Sequence, residues 1–277
     1  MKITILTDNN TIIDRYFIGE PGFSAYIEDE NSKILFDLGY SDVFLRNAQK
    51  MKIDLSTLDF VAISHGHCDH TWGLESLLRY FSELEFEKVK HKRPKMAAHP
   101  KTFKSIIAEG YSEIGSMLSD NKLAKFFEMH LDSKPQKLTE RLTYLGEIPR
   151  KNDFESRQTF GKKEGEIDND YVIEDTAIVY QSSDGLIIIT GCSHSGICNI
   201  VEYAKSITKE NRIVDIIGGF HLLDPSEMQM NGTLNYLKKQ DIKRIHPCHC
   251  TDLKSKIRLA AVVSVEETGV GLELEYK

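Results

Sequence analysis

The 277-residue chain lacks any long apolar run: no stretch approaches the roughly 20 consecutive apolar residues that a membrane-spanning helix needs. Its opening, MKITILTDNN, reaches Asp8 after a short apolar run and does not read as a secretory signal, so a cytoplasmic location is expected. Excess basic charge is missing too. Lys and Arg total 35 against 42 Asp and Glu, a net charge of −7, whereas a general nucleic-acid binder carries a basic face. The one basic run, KVKHKRPK at 88–95, reads as a solvated connection. The five cysteines are an odd count without a signal segment, which argues against a disulfide framework. Cys68, Cys192 and Cys250 each lie within two residues of a histidine, which favours metal or redox chemistry over crosslinking. No G-x-G-x-x-G, G-x-x-x-x-G-K-[ST] or G-x-S-x-G occurs, so dinucleotide, P-loop and nucleophile-elbow chemistry have no motif to rest on.

What is present is the apolar fraction of an ordinary soluble globular protein, 40%, arranged as two comparable β-rich halves with helices between the strands. KITILTD, FSAYIED and KILFDLG read as strands, SDVFLRNAQKM as a helix capped by Ser41, and LDFVAIS as a buried strand. GLESLLRYF follows as a helix with Leu74, Leu77, Leu78 and Phe81 on one face. KTFKSIIAEG is read as a further helix. Residues 110–170 break the rhythm and are expected to form an insertion over the site within a single domain spanning 1–277. The β pattern resumes at TAIVYQSSDGLIIITG, where Asp184-Gly185 signals a hairpin. Two β-rich halves with outer helices predict an α/β sandwich, sheet on sheet between helical layers.

The densest chemistry lies in VAISHGHCDHTWGL, residues 61–74. Here His65, His67, Asp69 and His70 place four metal-donor side chains within six positions in a loop leaving a strand. Imidazole and carboxylate at this density suit zinc, with iron or manganese as alternatives. Such a loop gives an open set that needs distant donors. The chain offers them after later apolar runs: Cys192 and His194 in IIITGCSHSGI, His221 in IIGGFHLLD, and His246, Cys248, His249 and Cys250 in RIHPCHCTD. Of these, His194 and His249 are the leading ligands, and His221 is divided between substrate contact, support and structure. Cys192 and Cys250 read first as small buried residues. His99 and His246 read as structural, and His91 and His130 as solvent-facing.

The H-x-H-x-D-H pattern after a β-run resembles the metallo-β-lactamase superfamily. LTDN, GFSAYIE, KILFDLG, EIPR followed by DFE, GCSHSGI, GGFHL and PCHCTD resemble one branch of it, the 7,8-dihydropterin-6-methyl-4-(β-D-ribofuranosyl)aminobenzene 5′-phosphate synthase-like proteins, related to dihydropteroate synthase and methanopterin formation. The resemblance implies an αββα four-layer sandwich, two mixed β-sheets flanked by helices, with two divalent metal ions on the sheet edges. It implies His65 and His67 on the first ion, with His194 assigned as its remaining ligand, Asp69 and His70 on the second, and His249 as the last histidine of the superfamily's set. Where superfamily hydrolases commonly carry a bridging Asp, this chain has Cys192, a weaker ligand candidate.

A hydrolase follows as the leading expectation: a metal-bound hydroxide, Asp69 orienting it, and His221 contacting the substrate or protonating the leaving group. The cationic pocket favours an anionic small molecule, a phosphate-bearing or cyclic ester. A pterin-condensing synthase and a non-catalytic metal-dependent sensor are the alternatives. Neither nucleic acid nor membrane is expected as a partner, and a homo-oligomer remains open.

Overall fold

Apolar side chains at alternate positions of a strand face opposite sides of a sheet, so a strand apolar at every position must be covered on both faces. The run GLIIIT at 185–190 is such a strand, and in the computed structural model, which describes all 277 residues, it is central to its sheet. The first half of the chain runs β1 (Lys2–Thr7), β2 (Ser24–Asp29), β3 (Ser32–Phe36), α1 (Val43–Lys50), β4 (Phe60–Ala62), α2 (Cys68–Thr71), α3 (Gly73–Phe86) and β5 (Lys95–Ala98). Next come β6 (Ile106–Ile107), α4 (Asp120–Leu123), β7 (Glu128–Leu131), β8 (Gln136–Lys137), β9 (Leu142–Tyr144) and β10 (Lys162–Lys163). The second half runs β11 (Ala177–Ser182), β12 (Gly185–Thr190), α5 (Ile197–Thr208) and β13 (Ile213–Gly219). It closes with α6 (Glu227–Leu237), β14 (Ile242–Cys248), α7 (Leu253–Leu259) and β15 (Glu273–Glu275).

Seven strands form one sheet in the order β15-β1-β2-β3-β4-β5-β7, and six form another, β14-β13-β12-β11-β9-β8. Both are mixed. β3, β4, β5 and β7 are parallel neighbours in the first, and β12, β13 and β14 in the second. Between the sheets Ile3, Ile5, Ile27, Ile34 and Phe36 meet Ile178, Tyr180, Ile187 and Ile189. On the outer face of the first sheet Leu6, Leu35 and Val61 pack on Phe44, Leu74, Leu77 and Phe81 of α1 and α3. On the outer face of the second, Val179, Ile188 and Ile216 pack on Ile200, Val201, Leu237 and Leu259 of α5, α6 and α7. Three apolar layers therefore hold four structural ones, the αββα sandwich expected. Each fully buried Ile or Phe contributes about 1.5–3 kcal/mol.

Three local expectations change. Residues 101–110 are not helical: Ile106 and Ile107 pair with Lys163 and Lys162 in a two-stranded ribbon. The N-cap residue of α1 is Asp42, one position after Ser41; the Ser41 hydroxyl still accepts from Val43 N–H at 3.3 Å and donates to Glu20 Oε2 at 2.6 Å. The 110–170 stretch is also not one insertion, because β7 extends the first sheet while β8 and β9 extend the second. β7 has no fully buried residue, so no apolar run marks it in the sequence. The part that reaches the site is the β10 segment. Buried Lys163 pins it through ion pairs to Asp170 and Glu174, the latter at 2.8 Å.

Candidate metal centre

All the predicted donors leave the sheets at the C-terminal ends of strands, where open α/β sheets gather their ligands. β4 ends at Ala62, and the chain passes Ile63 and Ser64 to His65. Gly66 is required there, since a Cβ would lie 2.5 Å from Thr102 O. His67 is the residue before the short helix α2, whose single turn carries Asp69 and His70. Further donors enter after β12 (Cys192, His194), after β13 (His221) and after β14 (His249).

The donors gather as two adjoining groups. In one, His65 Nε2 lies 3.1 Å from His67 Nδ1 and 3.2 Å from His194 Nε2. In the other, His70 Nε2 and His249 Nε2 are 3.2 Å apart, and Asp69 Oδ2 lies 3.2 Å from His249 Nε2 and 3.9 Å from His70 Nε2. Cys192 Sγ, 3.2 Å from His70 Nε2, is within reach of both groups. All six leading ligands are thus brought together with Cys192. His221 stands beside them, its ring centroid 4.3 Å from that of His194 and its Nε2 3.0 Å from Gln158 Oε1.

Anchoring on the far side of three of the rings, His65, His70 and His249, fixes which nitrogen faces inward. Ser64 Oγ donates to Asp37 Oδ2 at 2.6 Å, so it is left to accept from His65 Nδ1 at 2.9 Å. His70 Nδ1 donates to Asp37 Oδ2 at 2.7 Å, and His249 Nδ1 to Asn9 Oδ1 at 3.0 Å. Asp8 holds the His249 backbone, accepting from its N–H at 2.8 Å. Each of these imidazoles therefore turns its Nε2 inward, the orientation that such outer partners impose on metal-ligating histidine. Asp8, Asn9 and Asp37 were not singled out in the sequence, although each follows a strand in the motifs LTDN and KILFDLG.

Nitrogens about 2.0–2.1 Å from a tetrahedral ion lie at a spacing similar to the 3.2 Å found between His65 and His194 and between His70 and His249. The residues present fit a metal. Burial pushes His65 and His194 well below the ordinary imidazole range and His67 down to about 4, so these rings stay neutral. For Asp69 burial acts upward, but His70 and His249 outweigh it and keep the carboxylate ionised. His249 rises to about 9 despite its burial, because Asp69 accepts from it; a divalent ion must displace that proton.

These shifts set the pH dependence of the metal-free protein. His67 titrates near 6.5 unfolded and about 4 folded, so below pH 6.5 the unfolded chain binds more protons and stability is lost. For His67 alone the loss between pH 6.5 and 4 is about 3 kcal/mol. His65 and His194 act in the same direction. His249 acts oppositely, its contribution disappearing as the pH rises through about 9. The thermal midpoint of metal-free protein is expected to fall steadily from pH 6.5 to 4; a flat profile there would show that the rings are not held neutral.

The other histidines separate cleanly. His99, itself buried, faces the exposed Glu147, and His246 donates to Asp215 at 2.9 Å in a buried pair. His130 is partly exposed beside Glu128, while His91, expected in solvent, stacks on Phe81 at 5.3 Å. A larger groove of about 550 Å³ lies along α3 beside Trp72, Leu78, Phe86 and Phe126, but none of the clustered donors lines it. No helix is long and apolar enough to cross a membrane.

A four-layer αββα sandwich with a His/Asp/Cys cluster at its strand ends defines a metal-dependent, hydrolase-like fold. The chain belongs to the metallo-beta-lactamase superfamily, whose family model matches residues 18–249. It is 33% identical over 259 residues to an uncharacterised protein of Methanocaldococcus jannaschii, covering 93% of each chain. It is also 30% identical over 271 residues to the 7,8-dihydropterin-6-methyl-4-(beta-D-ribofuranosyl)-aminobenzene-5'-phosphate synthase of that organism, covering 92% of this chain and 89% of the relative. Among solved structures, a metal-dependent hydrolase of the beta-lactamase superfamily aligns with a TM-score of 0.83 at 27% identity, covering 100% of this chain and 99% of that one.

Proposed function

We propose that the protein is a metal-dependent hydrolase of an anionic, phosphate-bearing small-molecule ester. His65, His67 and His194 surround one divalent ion, and Asp69, His70 and His249 a second, zinc being the first choice and iron or manganese the alternatives. The observation that supports this reading is the convergence, from three separate chain segments, of five imidazoles and one carboxylate, with His65, His70 and His249 already anchored on their outer nitrogens. When bound, the ions supply Lewis-acid polarisation of a phosphoryl or carbonyl oxygen and bring the acidity of a water to near neutrality.

The chain's own residues shape the substrate. A cavity of about 220 Å³ borders the first donor group, lined by Arg157, Gln158, Phe160, His194, His221 and Gln229 among others. With His194 Nε2 turned to the donors, its other nitrogen is an N–H, and that Nδ1 is buried without a partner. A buried donor without a partner asks for an acceptor. Arg157 spends its Nε on Asp153 O, leaving its terminal N–H groups for an oxyanion. Phe160 packs on His67, His194 and His221 and keeps bulk water from their rings. Asp69, ionised at the rim of the second group, would orient the attacking water by accepting a hydrogen bond from it, and His221 would contact the leaving group.

Purified protein reconstituted with each metal and screened against phosphomonoesters, phosphodiesters and lactones tests this. Release of inorganic phosphate or alcohol should require the metal. Arg157→Ala should raise KM about 10-fold or more with kcat little changed, the loss of one charge-assisted hydrogen bond. Turnover undiminished after the metal is stripped overturns the reading. The pterin-synthase relative favours a second reading, condensation at the same site, and the products separate the two: a joined pterin compound, or a cleaved ester with water added.

A further inference from the structure

Cys192 holds a position that no other donor shares. Its sulfur lies within 4.8 Å of donor atoms of Asp69, His70 and His249 on one side and of His65 and His194 on the other. We propose that the Cys192 thiolate bridges the two ions, and that Cys250 is its supporting partner and not a ligand. This rests on the reading that the cluster holds two ions.

The backbone fixes the sulfur in the middle. A Cβ on Gly191 would lie 2.1 Å from Ser64 Oγ and 2.7 Å from Asp37 Oδ2, so the turn after β12 is pressed against the residues that anchor His65 and His70. Ser193 adopts a left-handed φ of 64° and its hydroxyl donates to Gly219 O at 2.6 Å. Gly219 N donates to Gly191 O at 2.9 Å. Between these clamps Cys192 is 4% exposed, and its side chain has nowhere to go except the junction of the two donor groups.

Cys250 is placed differently. Its thiol donates to Cys192 O at 3.4 Å and accepts from His221 N at 3.3 Å, behind the turn, and it belongs to neither donor group. A Cβ on Gly219 would lie 2.5 Å from that sulfur, so Gly219 is what leaves room for it. Chemically, a thiolate has lone pairs for two ions and carries one negative charge, as a bridging carboxylate does. Together with Asp69 it lowers the four positive charges of two divalent ions to two. Sulfur also changes selectivity: a thiolate favours zinc, cobalt and cadmium over manganese and magnesium.

Cobalt(II) titration of the full chain, followed by absorbance and by bound metal, tests the bridge. The wild type should take up two equivalents and show a near-ultraviolet thiolate-to-cobalt charge-transfer band. Cys192→Ser should lose the band and hold its second equivalent at least about tenfold more weakly, while Cys192→Asp should regain two equivalents without the band. Cys250→Ser should keep the band. Circular dichroism on each variant checks folding, and the wild-type band decides by itself if Cys192→Ser does not fold. Two equivalents without a band overturn the bridge and leave the metal centre intact, as does a band that survives Cys192→Ser or vanishes in Cys250→Ser. Failure of the wild type to bind cobalt overturns the metal centre itself.

Discussion

His65→Ala is expected to cut metal-dependent turnover by about a thousandfold or more, equivalent to about 4 kcal/mol of barrier. The first donor group should lose its ion with it. His65 is the hub of that group: its Nε2 contacts both His67 Nδ1 at 3.1 Å and His194 Nε2 at 3.2 Å, and its ring centroid lies 4.2 Å from that of His70. Removing it leaves two of the three nitrogens, and a void in a fully buried position. His246→Ala is the matched comparison. That ring is also buried, but it pairs with Asp215 among Arg244 and Tyr276, so its loss should lower the unfolding midpoint while the bound metal stays constant. Elemental analysis and kcat on both variants measure the contrast. Equal metal content in the two would remove His65 from the ligand set.

The contrast between these two histidines shows what a sequence carries and what it does not. His65 was legible because it arrives with three more donors in six positions, a density that burial alone does not produce. His194 and His249 were legible at one remove, each following an apolar run that ends at the same rim. α3 was read from its apolar spacing, and Leu74, Leu77, Leu78 and Phe81 are all buried as that spacing requires. β7 and β8 were not legible, because neither of these edge strands has a fully buried residue and neither shows an apolar alternation. KTFKSIIAEG has helical composition, yet the pairing of Ile106 with Lys163 overrides that local preference. Asp8, Asn9 and Asp37 were missed for a related reason. One acidic residue after a strand is commonplace, and only the folded chain shows that Asp8 meets His249, 241 positions away.

Asp37 is where that hidden support should be most costly to lose. Its carboxylate is fully buried and accepts three hydrogen bonds: Oδ1 from Ser64 N at 2.7 Å, and Oδ2 from Ser64 Oγ at 2.6 Å and His70 Nδ1 at 2.7 Å. It therefore ties the His65 loop to His70, one anchor serving both donor groups. Asp37→Ala strands three buried donors at once and is expected to destabilise the metal-free protein by about 3–5 kcal/mol. Asp37→Asn keeps the shape but turns an NH₂ toward at least one donor, so about 1–3 kcal/mol is expected. Metal affinity in the Asn variant should fall about 10–100-fold, the usual consequence of freeing a ligand histidine from its outer partner. Because the same oxygen orients Ser64 and, through it, His65 Nδ1, the loss should appear for both equivalents of metal. Denaturant unfolding and metal titration of Asp37→Asn report the two effects separately. A variant with wild-type midpoint and wild-type affinity would mean that the histidines orient themselves without Asp37, and that the inward nitrogens owe their direction to packing alone.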